Sequence, residues 1–301
     1  MTSMLLSAAT ALAFAIVLSS DRQGATCIAA TDGAVAIGGH GGIDLYLPDR
    51  RVALGAKRNV FALVFSGDRL LEAGGKAGES GLVQCWSWKD EKLIWSKQEH
   101  DDVATSVAAA GGLVFSGSAD KSIAVLDAAT GQRRQYLTGH AGPVLTLAAS
   151  SDGKILASAG ADRSIRIWSV EKLEIVRSIN NHSDSVNALA WSPDGKRLAS
   201  ASSDRTVRIW QPDIGRLVRI VRGHDAKVLS LAYGPEWIAS GAADGKVRRI
   251  DVESDAILES LEGHKDWVVG VAIAQGKLFS ADWSGRALLW RPGMPPQPLD
   301  P

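Results

Sequence analysis

The fold class written in this chain is all-β: seven four-stranded antiparallel units closed into a ring, a seven-bladed propeller. Three observations predict it. Five histidines, His100, His140, His182, His224 and His264, fall at intervals of 40, 42, 42 and 40 residues. Each is followed 26 or 28 residues later by a bulky apolar residue that closes a strand-like run: Leu126, Trp168, Trp210, Ile250 and Trp290. Between these marks lie short apolar or alternating runs such as VLTLAAS, ILASAG, SIRIW and EIVRSI, separated by turn clusters such as SSDG, SPDG and GADRS. Four strands in roughly 40 residues is the arithmetic of a propeller blade, and no amphipathic helix period interrupts it.

The units follow in order. The first is SSDRQGATCIAATDGAVAIGGHGGIDLY, which aligns without a gap on the last unit and closes at Tyr46. The second closes at Trp86; Ala56 takes its histidine place, and GGKAGESG holds about four extra residues. Units three to seven close at Leu126, Trp168, Trp210, Ile250 and Trp290. His40 is out of register: it sits where the middle units carry Asp, six residues before the closing position. Residues 20–290 therefore form one propeller, with a Pro-rich tail over 291–301.

Ring closure bears on the apolar segment 1–19. Counting back from Ser20, Ala13–Leu18 falls where LVRIVR and ILESLE lie in other units. The tail RPGMPPQPLDP carries five prolines and is expected not to pair as a strand. The apolar run 1–19 also resembles the core of a signal peptide, although no Lys or Arg precedes it.

Gly139-His140, Gly223-His224 and Gly263-His264, the SPDG turn at Ser192–Gly195 and the RIW endings at Trp168 and Trp210 resemble the signature of the WD40 repeat family. The resemblance covers residues 20–290. It implies a closed propeller in which each sequence repeat begins with the outer strand of the preceding blade, so that residues 1–19 are expected to be the closing outer strand of blade 7, with a signal peptide as the alternative. It also implies that the histidine loop and the Asp loop of each blade open on one face, the top face.

His140, Ser158 and Asp162 have the residue types of a hydrolase triad, which needs one activated Ser with its base and acid. The set recurs, however. His140/Ser158/Asp162/Trp168 is followed by His182/Ser200/Asp204/Trp210 and by His224/Ser240/Asp244, with a partial copy at His100/Ser116/Asp120. Catalysis has no use for repeated copies around a ring, whereas tightly curved loops need their polar groups satisfied. The sets are read as structural hydrogen-bond tetrads, with no catalytic residue.

Composition narrows the remaining classes. With 33 basic and 33 acidic residues the net charge is zero, so no broad field attracts nucleic acid or an anionic membrane. No later stretch has the length of a membrane span. Cys27 and Cys85 make neither a disulfide framework nor a metal-ligand spacing. No phosphate loop, zinc motif or haem motif is present. No cofactor and no metal are expected.

Function is then expected where the repeats differ. Trp267 in the histidine loop of blade 7 and Trp283 in its Asp loop are aromatic residues the fold does not demand. Phe61 and Asn59 lie on blade 2, with His40 of blade 1 between; Asn187, five places after its histidine, and Lys227, three places after its own, lie on the top face of blades 5 and 6. An aromatic and polar arc of this kind suits a protein or peptide partner. The expected function is a non-catalytic interaction scaffold: a monomeric ring within a larger complex, cytoplasmic unless residues 1–19 export it. The competing readings are an exported propeller working beside redox or other enzymes, and an enzyme or small-ligand binder using the central channel.

Overall fold

A computed structural model describes residues 24–298, apart from residues 32, 48, 56–57, 275 and 292–293. It contains seven separate four-stranded sheets, each made of four consecutive antiparallel strands. Blade 5 is representative, with strands Val186–Trp191, Leu198–Ser202, Val207–Gln211 and Arg216–Val221. The first strand of every blade is innermost. Ala25–Thr31, Val60–Ser66, Ala104–Ala110, Val144–Ala149, Val186–Trp191, Val228–Tyr233 and Val268–Ala274 pack successively around the ring, and the last packs against the first.

The sequence alternation explains where the core lies. Blades bury both faces against their neighbours, so the core is a series of sandwiches between blades. Ile43 and Leu45 of blade 1 pack with Leu63, Phe65 and Trp86 of blade 2. Ile165 and Ile167 of blade 4 pack with Leu189, Leu198 and Trp210 of blade 5. Close approach demands glycine at two equivalent places. A Cβ on Gly117 or Gly241 would lie 2.7 or 2.6 Å from the inner-strand valine of the next blade, Val144 or Val268. Outer strands are edges and read differently: Glu174–Ile179 leaves Ile175 and Val176 exposed.

Closure of blade 7 departs from the expectation. Its outer strand is Gln297–Pro298, drawn from the tail, with Pro298 opposite Leu288 and Gln297 opposite Leu289. An outermost strand has one ladder neighbour, so proline is tolerated there provided its missing N–H faces outward. The prolines of the tail therefore do not keep it from pairing at the edge of blade 7. The segment Ala13–Leu18, expected to supply this strand, lies outside the described residues.

Candidate functional site

Antiparallel order dictates the faces. The loop entering each inner strand and the turn between second and third strands emerge at the same end of the blade. The backbone fixes these two loops to each other. Ala119 N–H donates to the Val103 carbonyl at 3.1 Å in blade 3, and Ala161 to Pro143 at 2.9 Å in blade 4. Ser203 donates to Ser185, Ala243 to Lys227 and Trp283 to Trp267, all at 2.9 Å, in blades 5 to 7. Gly75 and Asn59 repeat the bond at 3.0 Å in blade 2. In blades 2 to 7 the scaffold thus presents one pair of loop residues at a constant position, and only their identity varies.

Each inner strand also carries a β-bulge where it enters the blade. The residue skipped by the ladder is Thr26, Phe61, Thr105, Leu145, Asn187, Leu229 or Val269 in blades 1 to 7. A bulge turns its residue out of the regular pleat. Three of these residues then bridge blades. The Thr26 hydroxyl bonds the Val60 carbonyl, the Thr105 hydroxyl bonds the Val144 carbonyl, and the Asn187 amide donates to Val228 at 2.8 Å. Asn187 also donates to Ser203 Oγ at 3.0 Å, so its amide nitrogen ties blade 5 to blade 6.

Beneath the loops run the hydrogen-bond chains. In blade 5, Trp210 Nε1–H donates to Ser200 Oγ at 2.8 Å; Ser200 meets His182 Nε2 at 2.8 Å; His182 Nδ1 meets Asp204 Oδ2 at 2.7 Å. Burial alone would raise the Asp204 carboxyl, but hydrogen bonds from His182, Thr206 and the Ser183 amide outweigh it and hold the group well below the carboxylate range. An ionised carboxylate only accepts, so His182 Nδ1–H is the donor to Asp204. Blade 4 repeats the chain through Trp168, Ser158, His140 and Asp162 at 2.8, 2.7 and 2.8 Å. Blade 3 has His100 between Ser116 at 2.7 Å and Asp120 at 2.9 Å, with Leu126 where the indole would be.

Three blades alter the chain. In blade 7, Trp290, Ser280 and His264 connect to Asp282, two residues earlier than the usual Asp position, at 2.6, 2.6 and 2.9 Å. The neighbouring Asp in ADWSG was the available signal. In blade 2, Glu72 replaces the serine and Arg58 replaces the histidine. Arg58 grips Glu72 through Nε and Nη2 at 2.6 and 2.7 Å, and Trp86 Nε1 donates to Glu72 Oε2 at 2.9 Å. Glu72 falls at the serine place once the four extra residues that follow it are set aside. In blade 6, Arg248 ion-pairs with Asp244 at 2.8 Å, leaving His224 bonded to Ser240 at 2.8 Å with Nδ1 unpartnered.

That break has a pH consequence. Burial, reinforced by the Arg248 charge, lowers His224 from 6.5 to about 4. The fold therefore favours neutral His224: its contribution is complete above about pH 6.5 and is lost as pH falls towards 4, at most about 3 kcal/mol. Burial lowers His140 in the same direction. Melting temperature is expected to fall across this window, and His224→Gln to flatten part of the fall. A wild-type profile parallel to the variant's would contradict this.

The varied side chains come together on blades 7, 1 and 2. Trp267 and Trp283 are 55% and 44% exposed, at loop positions where blades 3 to 5 carry Val103, Pro143 and Ser185 and Ala119, Ala161 and Ser203. The Trp283 ring stands edge-on to exposed His40, with ring centroids 6.0 Å apart. His40 Nδ1 in turn meets Asn59 Oδ1 at 3.0 Å. Trp283, His40 and Asn59 thus link three blades in a continuous arc, with Phe61 half-buried beside Asn59 at the blade 2 bulge. Lys227 is exposed on blade 6, next round the ring from Trp267. By contrast Trp88 and Trp95 are buried and donate to the Gly67 and Ala128 carbonyls, and Trp237 stacks under Arg249.

Other chemistry finds little here. Among the described residues no His, Cys, Asp and Glu group is placed to hold a metal ion, and no helix is long and apolar enough to cross a membrane. Burial pushes the Cys27 thiol up to about 12, far from a reactive thiolate at neutral pH.

Fold and loops together define a seven-bladed β-propeller of the WD40 type. A family model described as the first β-propeller of IFT122 matches residues 113–294, and the chain belongs to that β-propeller family. Among solved structures it is similar to the computationally designed Ika8 protein, with a TM-score of 0.75 and 26% identity, covering 96% of this chain and 89% of that one. No curated protein matches.

Proposed function

We propose that this chain is a non-catalytic scaffold that binds a protein or peptide partner through the loop face of blades 7, 1 and 2. Its membership of a scaffold-type propeller family supports the class. The observation that carries the site is the exposed Trp267–Trp283 pair, displayed by a backbone bond shared with blades 2 to 6 and continued by His40 and Asn59. Aromatic anchors surrounded by polar groups are the usual energetic centre of an interface. The hydrogen-bonded His–Ser–Asp sets serve the scaffold: their histidines and serines are largely buried, and they recur from blade to blade.

Affinity capture from native lysate tests the site. Wild type is compared with Trp267→Ala/Trp283→Ala and with Leu258→Ala, an exposed apolar residue on the outer strand of blade 6. With all baits melting alike, one prey should be lost from the tryptophan variant only. A prey that survives the double substitution, or that depends equally on Leu258, overturns the assignment.

A further inference from the structure

Seven of the ten tryptophans have their indole N–H satisfied within the protein: each donates to a serine hydroxyl, to Glu72 or to a backbone carbonyl. Trp237 instead has its face covered by the Arg249 guanidinium, 4.6 Å from the ring centroid. Trp267 and Trp283 have neither. Among the described residues their N–H groups find no partner, and the two rings do not stack on each other, although a backbone bond of 2.9 Å holds the residues side by side. An indole joins a broad apolar face to a single donor, which is why tryptophan is enriched where partners meet. Blade 7 thus displays two such faces and two unpaired donors at one place.

The polar groups around the pair have partners of their own. Asp266 accepts the Trp267 amide at 2.8 Å, Ser284 donates to Asp282 at 2.6 Å, and Arg286 donates to the Gly263 carbonyl at 2.7 Å. Neither sign of charge dominates on blades 7 and 2. Lys265 adjoins Asp266, the Arg286 amide bonds Asp282 at 3.0 Å, Lys76 pairs with Glu79 and Arg58 with Glu72. Nothing here selects a charged ligand; the two indoles select one with apolar faces and free acceptors. A polyproline II segment has both. Each proline offers a carbonyl and no N–H, its ring is apolar, and the helix leaves its carbonyls without internal bonds. That conformation is formed before binding, so little order has to be imposed. A sugar offers hydroxyls that donate as well as accept, whereas the groups left unpaired at the rings are donors only.

We propose that Trp267 and Trp283 clamp a proline-rich segment of the partner in the polyproline II conformation, with proline rings on the indole faces and backbone carbonyls accepting from the two Nε1–H groups. This rests on the reading of the blade 7 loop face as a binding surface and names the chemistry of what binds there.

The test titrates the full chain with deca-proline, using a glycine–serine decamer and maltohexaose as comparisons. Heteronuclear NMR of uniformly labelled protein reads the ten indole N–H signals, and single Trp→Phe variants identify those of Trp267 and Trp283. Deca-proline should shift these two and leave the seven bonded indoles in place; the other two probes should shift neither. Anisotropy of fluorescein-labelled deca-proline gives the affinities. Trp267→Ala/Trp283→Ala should weaken binding about thirtyfold or more. Trp267→Phe/Trp283→Phe keeps both rings and removes both donors, and should weaken it about five- to tenfold. Both variants should melt like wild type, and Leu258→Ala should bind like wild type. Absence of deca-proline binding, shifts confined to other tryptophans, or full affinity in the phenylalanine variant overturns the proposal. Shifts of the same two signals by maltohexaose or by the glycine–serine decamer make the pair a sugar site or a general peptide surface, and overturn the assignment to proline. Loss of a lysate prey from the alanine variant without any deca-proline binding leaves the binding face standing and removes the proline assignment alone.

Discussion

Arg58→Ala is expected to be among the most damaging single substitutions in the chain, costing about 3 kcal/mol or more in thermal or denaturant unfolding. The physical reason is asymmetry. Glu72 is almost wholly buried and its carboxylate is held by Arg58 and the Trp86 indole, so losing the guanidinium strands a charge in the core. Arg58 itself is 21% exposed, which places the figure at the lower end for buried pairs. Removing both charges should hurt less than removing one. Arg58→Ala/Glu72→Ser leaves a hydroxyl to accept the Trp86 N–H, as serine does in blades 4, 5 and 7. A double-mutant cycle should therefore show strong coupling. Additive losses would mean that the blade 2 pair is not a unit and that Glu72 does not substitute for the repeating serine.

The second large effect belongs to Ser200→Ala. Ser200 Oγ is the partner of both His182 Nε2 and Trp210 Nε1 at 2.8 Å, in a site closed to solvent. One lost hydroxyl leaves two buried polar groups unsatisfied, for about 2–5 kcal/mol in all. Ser240→Ala gives an internal comparison. In blade 6 the closing residue is Ile250, so only His224 loses its partner and the cost should be roughly half. Equal costs at the two serines would show that the Trp–Ser bond contributes little, and that burial of the indole alone holds that corner.

The contrast between blades explains what the sequence could and could not disclose. The blade count was legible because the fold repeats a physical requirement. Every blade needs an inner strand, a closing bulky residue and a satisfied loop junction, so His140, His182, Trp168 and Trp210 recur at fixed spacing. Substitutions that meet the requirement with different chemistry break the pattern without breaking the fold. Arg58 and Glu72 do so in blade 2, Asp282 in blade 7 and Arg248 in blade 6. The bulges left no residue signature, because Thr26, Phe61, Leu145 and Asn187 share no side-chain property. Backbone geometry makes them equivalent. The tail strand was hidden by its prolines, since only a structure shows which side of an edge strand is unpaired.

The aromatic arc was visible for the complementary reason. Trp267 and Trp283 occupy places where the scaffold sets no demand, and residues there are free to be selected by a partner. The T-shaped His40–Trp283 contact and the His40–Asn59 bond supply what the sequence lacked, a physical link from blade 7 through blade 1 to blade 2. Separation in sequence had concealed it: His40 and Trp283 come from opposite ends of the chain and meet because the ring closes.

The central claim is that constant bonds build the ring while the side chains that vary on its loop face bind the partner. Site-specific photo-crosslinking reads this most directly. A benzoylphenylalanine placed at position 283, at position 267 or at position 258 is irradiated in native lysate, with each protein first shown to melt like wild type. The account expects the same partner to be crosslinked from 283 and from 267, and not from 258 on the outer strand of blade 6. Crosslinks from 258 with none from 283 would contradict it, placing recognition on the blade edges and leaving the exposed tryptophans without a role.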